Sequence, residues 1–443
     1  MKKNTLRFMS VVMSAVTAFT FAGVTTPTTV NAAGESVALN ATNFPDEDFR
    51  SALSTYVDTN KNGSLDADEI DVVTYLSVYN YGWSDETDPY YFADEYGGYL
   101  SLYGTTDVTG IEYFTNLTSV YLYNINNTSF DFSKMSNLNY LNIDWCYNLM
   151  SVNVKGLNEL YSLSINNCTN FGSLDVSTNG NLNYVSCAGN DSFTSFTTSS
   201  KNKYLSSVYV YGPSLKKLDL SKLSALTAVA VCDCDISLDS LGIKNKNKIT
   251  ELYIRNNKKS GFVPSDYKNL FCLEYSNAGA KSIDLSKNKK LQMLNVRDNS
   301  LKSIDVSGLK KLWSLDVSEN KLSKLDVSKN KNLGVLYFDN NGISKIDLSK
   351  NTGLYEVYAM SNRLLEKLDL SKCANIYYFS VAKDVKVTLP KDKYTLSYYD
   401  YNIGDYKDKK LKSNTFSGES LNLSGSYVNF NGKKHYVTGS FSY

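Results

Sequence analysis

The chain of 443 residues is 42% hydrophobic and 21% charged, with 6 prolines and a formal net charge of +1, a foldable composition long enough for two or three domains. His435 is its only histidine, so His-based zinc sites, Ser-His-Asp triads and Cys-His pairs have nothing to be built from, and carboxylates are the one common catalytic route left. Residues 34–116 hold 16 acids against Arg50 and Lys61, while the remainder is basic but carries no nucleic-acid motif; a nucleic-acid partner is not expected.

Lys2, Lys3 and Arg7 precede an apolar stretch from Phe8 to Val24 and then Val30-Asn31-Ala32, which reads as a signal peptide over 1–32. A secreted, extracellular protein is expected, with no transmembrane segment in the mature chain. No LPxTG-type sorting sequence stands near the C-terminus, so covalent wall anchoring is not expected.

Residues 34–72 read as a helical cap. Pro45, Asp46, Glu47 and Asp48 suit a first helical turn, and Phe49, Leu53, Tyr56 and Val57 then share a face. The next residues, Asp58 to Glu69, fit the EF-hand loop D-x-[DN]-x-[DN]-G-x5-E at every position. Asp58, Asn60 and Asn62 offer side-chain oxygens, Gly63 permits the sharp turn, Ser64 gives a carbonyl, Asp66 acts through water and Glu69 closes the site. Ca2+ is the expected cofactor, bound with modest affinity because two positions are Asn. Residues 73–116 follow as an irregular first coil, with a strand at 73–78 and an acidic aromatic insertion from Trp83 to Tyr99.

From 117 to 382 a unit of 21–23 residues repeats about thirteen times. Residues 291–311 read LQMLNVRDNSLKSIDVSGLKK and residues 312–332 LWSLDVSENKLSKLDVSKNKN. Each L-x-x-L-x-V alternates as a short strand with one buried face; the Asn turns the chain, and I-D-V-S returns along the other side. Stacked coils make one core and one parallel sheet. The recurrent Asn (Asn190, Asn257, Asn299, Asn320, Asn341, Asn362) is expected to be buried and bonded to backbone. The recurrent Asp (Asp284, Asp305, Asp326, Asp347, Asp369) reads as a turn residue.

This pattern resembles the leucine-rich repeat family, L-x-x-L-x-L-x-x-N/C-x-L, and most of all the internalin-type secreted proteins of Gram-positive bacteria. The resemblance implies an α/β solenoid: a leucine-rich repeat horseshoe with a parallel β-sheet on its concave face and an EF-hand-like helical cap. Of the seven cysteines, Cys146, Cys168 and Cys234 stand at the Asn/Cys position, and Cys187 points inward. An odd count without short paired spacing argues against a disulfide framework, with a Cys146–Cys168 bridge left open.

The concave positions gather tyrosines: Tyr121, Tyr123, Tyr140, Tyr184, Tyr209, Tyr211 and Tyr253, then Tyr337, Tyr358 and Tyr378, among Ser and Asn. Such a mixture is the composition of a recognition surface. Lysines including Lys290 and Lys311 are expected to form a ridge on the convex side. Residues 383–443 alternate Tyr, Val and Leu between Gly and Asn turns, a small β-rich C-terminal cap. The expected function is adhesion or recognition of a protein or glycan on a cell surface by a monomer that is not an enzyme. A carboxylate glycoside hydrolase using acids such as Asp316 and Asp339, or a surface scaffold without soluble ligand, remain as alternatives.

Overall fold

The computed structural model describes residues 36–80, 91–93 and 98–390, apart from 235, 258–260, 377 and 383–384, and beyond them the strand segments 395–400, 405–410, 415–417, 427–430 and 433–436. The expected signal peptide lies outside the described residues, as does most of the insertion from Trp83.

The repeats build a sheet of sixteen strands. Thirteen come from the repeats, from Ser119–Tyr123 to Tyr378–Val381, and each pairs in parallel with the one before and after. The second and fourth strand residues point inward: Leu141 and Ile143, Leu163 and Ile165, and Leu252 and Ile254 are at most 2% exposed. Convex segments pair as short parallel strands, Ser129–Asp131 with Ser151–Asn153 and Ser173–Asp175 with Ser195–Thr197. No coil could bury these leucines alone, so one core runs the length of the solenoid.

Most repeat strands leave the sheet through one residue in the left-handed region, among them Asn124, Asn167, Asn256, Asn277, Asp298 and Asn340, where Asn and Asp tolerate positive φ best. The turn is thus made by the residue before the ladder Asn, which corrects the expectation that the ladder Asn turns the chain. The ladder Asn ties coils instead. Asn341 donates to the carbonyls of Val317 in the preceding coil (3.0 Å) and Phe338 in its own (3.2 Å), and accepts from Leu322 (3.0 Å). A second buried Asn, present in several coils and unrecognised in the sequence, also ties coils on the convex side, by donation alone: Asn330 donates to Val306 and Leu309, and Asn351 to Val327 and Asn330. The recurrent Asp is a turn residue as expected; Asp284, Asp305, Asp326 and Asp347 each accept the N–H two residues on.

The N-terminal edge departs from the simple order. Tyr99–Tyr103 does not follow Tyr75–Tyr79 toward the repeats but pairs in parallel on its outer side, while Tyr75–Tyr79 pairs directly with Ser119–Tyr123. Tyr91–Ala93 then closes the edge, antiparallel. The irregular first coil therefore adds two strands outside Tyr75–Tyr79. Before it stand helix α1 (Glu47–Tyr56) and the short helix α2 (Ala67–Asp71). Phe49, Ala52 and Leu53 of the first, and Val57 just after it, are buried in the core shared with the first coils. The Asp46 carboxylate joins cap to solenoid: Oδ1 accepts from Phe49 N at 2.8 Å, and Oδ2 from Thr106 N at 3.0 Å and Asp107 N at 3.1 Å. Gly110, at φ +102°, lets the Phe44 ring pack where a Cβ would stand 2.3 Å from it. At the other end the strands are largely antiparallel, with Thr395–Asp400 between Asp405–Lys410 and Tyr427–Phe430.

Candidate functional site: the concave face and the cap loop

The first, third and fifth residues of each strand form three columns on the concave face, and the sheet register fixes their neighbours. At the N-terminal end the columns hold a block of six tyrosines. Tyr99 and Tyr75 stack in the first column with centroids 4.2 Å apart, and Tyr121, from the third column opposite Ser77, completes their row at 5.5 Å; Tyr103, Tyr79 and Tyr123, all in the fifth column, form the second row, at 5.6 Å and 6.4 Å. Ser77 and Ser101 are hydrogen bonded between the rows at 2.9 Å. Tyr121 and Tyr123 belong to the expected set. Tyr75, Tyr79, Tyr99 and Tyr103 do not, although YLSVY and YLSLY carry the same alternation.

Next comes a polar stretch. Tyr140 is the most exposed of the expected tyrosines at 41%. Asp144 accepts from Asn142 Nδ2 (2.6 Å) and Asn166 Nδ2 (3.0 Å); burial raises its pKa, and those donors oppose the rise. Tyr184 and Tyr209 follow, 5.5 Å apart, and Tyr209 and Tyr253, 5.9 Å.

Here the face becomes apolar. Ala230, Cys232, Tyr253 and Cys272 form a small buried cluster on the concave side, with Tyr209, Tyr211 and Met293 packed on it. Tyr253 is only 5% exposed, so it supports the surface rather than presenting a ring to solvent. Tyr211 is held beneath the Arg255 guanidinium, 5.4 Å from its centroid, and Arg255 pairs with Asp233 at 2.8 Å. Beyond lie Glu274, Asp316 and Asp339. Burial raises the pKa of all three, that of Asp339 to about 7, with Arg297 pulling the last two down and Asp316 pushing Asp339 further up. Arg297 itself is bonded to Glu319. Tyr337, Tyr358 and Tyr378 close the face, with centroids 4.4 Å and 4.6 Å apart.

The cap loop brings Asp58, Asn60, Asn62, Ser64, Asp66 and Glu69 together, and it closes through its own hydrogen bonds. Asp58 accepts from Asn62 N (3.1 Å) and Gly63 N (3.0 Å). Asn60 Nδ2 and Asn62 Nδ2 both donate to Asp66 Oδ2, at 2.8 Å and 3.1 Å. Glu69 Oε1 accepts from Thr59 N (2.7 Å) and Asn60 N (3.2 Å), and Oε2 from Asp66 N (3.0 Å). Burial would raise the Glu69 pKa, but these bonds outweigh it and the pKa is lowered. Among the described residues no group of three or more His, Cys, Asp and Glu side chains is placed to hold a metal ion. The loop's donors are nevertheless all oxygens, which suits a hard cation. To take one, both amides must turn from Asp66, and Glu69 must give up backbone N–H groups.

All seven cysteines are buried and unbridged. Cys146 and Cys168 do the work of the ladder Asn: Cys146 Sγ accepts from Ile125 N at 3.3 Å, and Cys168 Sγ lies 3.8 Å from the Ile143 carbonyl. Asn190 makes the equivalent contacts one coil on, with Cys168 N and Ile165 O.

This parallel sheet, its buried leucines and its Asn/Cys ladder define a leucine-rich repeat solenoid. In fold it is internalin-like: the functional domain of InlJ from Listeria monocytogenes, described as including a cysteine ladder, superposes with a TM-score of 0.54 over 81% of this chain and 72% of that one, at 24% identity. An internalin, InlF, of the same organism matches over 81% of this chain and 94% of its own at 16% identity, with a TM-score of 0.45. No protein-family model matches the chain, and no curated protein matches it by sequence. No helix among the described residues is long and apolar enough to cross a membrane.

Proposed function

We propose that this chain is an exported, non-catalytic binding module that recognises a protein or glycan on a cell surface through its concave face. The observation that carries this reading is the six-tyrosine block continued by Tyr140, Tyr184, Tyr209 and Tyr211 along one uninterrupted sheet. Rings already stacked on one another lose little freedom when a ligand covers them, and the Ser and Asn between them supply adaptable hydrogen bonds. The likeness in fold to InlJ agrees with this reading. Calcium in the cap loop belongs to the same proposal: Asp58, Asn60, Asn62, Asp66 and Glu69 would hold the ion by side chains and Ser64 by its carbonyl, fixing the cap on the first coils.

The test is a screen of glycans and of cell-surface proteins, in calcium, with the chain beside a variant carrying Ser at 121, 123, 209 and 211. Binding lost in the variant supports the concave site. Ligands retained in full by the variant would move recognition elsewhere.

A glycoside hydrolase is favoured by one observation, the Asp339 carboxyl with its pKa of about 7 beside Asp316, since an acid protonated near neutrality is what such chemistry requires. Release of reducing sugar, abolished by Asp316→Asn, would establish that reading over binding alone.

A further inference from the structure

A second surface lies along the edge where the chain enters the concave strands. Two columns flank the first buried leucine of successive repeats there. Lys248, Asn269, Lys290 and Lys311 precede Ile249, Leu270, Leu291 and Leu312, and Thr250, Phe271, Gln292 and Trp313 follow them. The structure places Lys290 and Lys311 not on a convex ridge but in an open groove of about 490 Å³, walled by Phe271 and Gln292 and continued to Lys248 and Asn269. No carboxylate lines it. Phe271 is 40% exposed and Trp313, on the same column, 39%. Lys290 and Lys311 make no ion pair among the described residues.

We propose that this groove binds an acidic polysaccharide of the polyuronate type, a chain of sugar rings with one carboxylate each. The aromatic face offers a platform for the apolar face of a sugar ring, the amides of Asn269 and Gln292 meet ring hydroxyls, and the lysines, compact cations with three donors, meet the carboxylates. The repeat sets the spacing: neighbouring coils stand ~4.8 Å apart, so Lys290 and Lys311 are one such step apart and Lys248 and Lys290 about two. A lysine on three of four coils matches one charge per sugar better than a more densely sulfated chain. A single-stranded nucleic acid would need a succession of rings for its bases, whereas Phe271 and Trp313 stand two coils apart with Gln292 between them. The site is separate from the concave face, and the proposal stands or falls independently of the function proposed above.

The probe is polygalacturonate, with dextran as the neutral chain and oligo-dT as the nucleic acid, measured by affinity electrophoresis of the full chain at low salt. Polygalacturonate should retard the protein and lose its grip as salt is raised, while dextran should not. The double variant Lys290→Gln with Lys311→Gln should weaken binding at least tenfold, and Phe271→Ala about tenfold. Phe271→Tyr should restore it, and the double variant Lys329→Gln with Lys350→Gln, exposed lysines outside the groove, should leave it unchanged. Melting curves of the variants confirm that each is folded. No retardation of the parent protein, equal retardation of all variants, or stronger retention by oligo-dT would each overturn the proposal, the second by showing only general attraction to a basic surface.

Discussion

Asn320 Oδ1 accepts the N–H of Leu301, one coil earlier, at 3.0 Å, while its Nδ2 donates at 2.9 Å to the carbonyl of Val296 in that same coil. One side chain thereby satisfies a donor and an acceptor that the core would otherwise strand. Leaving buried backbone groups unpaired costs about 1–3 kcal/mol each. Asn320→Ala should therefore destabilise the solenoid by about 3 kcal/mol, more than any substitution of the exposed Lys321 beside it. Urea unfolding of the two variants checks this, and equal midpoints would remove the ladder from the account.

The cysteines on the same ladder lead to a different expectation. Cys146 Sγ accepts from Ile125 N, the task that Asn performs elsewhere, so Cys146→Asn should be tolerated to within about 1 kcal/mol, whereas Cys146→Ala should cost about 2 kcal/mol by orphaning the N–H. Since every cysteine is buried, a thiol reagent should find none in the native protein and all seven after denaturation. Titration of fewer than seven in denaturant without reductant would reveal a bridge, with Cys146 and Cys168 the first pair to examine.

How far the sequence could be read follows from which forces are periodic. The leucines, the ladder Asn and the turn Asp recur at one spacing because every coil repeats one burial problem, and all three were legible. The convex Asn was not, although Asn288, Asn330 and Asn351 share the spacing, because Leu309 and Cys373 interrupt the column. The second strand order at the N-terminal edge was also hidden. Tyr75–Tyr79 and Tyr99–Tyr103 resemble consecutive repeats, and only the sheet register shows that the later one lies outside the earlier. On the concave face alternation gave the direction of each side chain but not its depth. Tyr253 and Cys272 are covered because their neighbours Ala230 and Met293 let large side chains lean together.

Asp339 makes stability depend on pH. Burial, with Asp316 and Glu319 adding to it and Arg297 opposing, lifts its folded-state pKa to about 7 from 3.8. Between those values the folded chain binds more protons than the unfolded one, so stability falls as pH rises across the window and the loss is complete above it. Asp339→Asn keeps an acceptor for Met360 N, which donates to Oδ1 at 2.6 Å, and carries no charge. Its melting temperature should exceed that of the parent at pH 8 and match it near pH 4. Parallel curves for the two proteins from pH 4 to 8 would show that Asp339 is not the group responsible.

The cap loop offers the sharpest contrast, because its hydrogen bonds and a bound cation make opposite demands on the same residues. At calcium ten times its dissociation constant, binding to the folded state alone adds about 1.4 kcal/mol, so the melting temperature should be higher in calcium than in chelator. Glu69→Gln should abolish that difference and also lower the melting temperature in chelator, since the carboxylate accepts from Thr59, Asn60 and Asp66 N. The more telling change is Asn62→Asp. In chelator it replaces a donor to Asp66 Oδ2 with a second carboxylate, and like charges in contact should destabilise the cap. In calcium the added charge strengthens the site, and the same variant should equal or exceed the parent. A variant destabilised equally in both conditions would mean that the loop is held by its own hydrogen bonds and takes no ion.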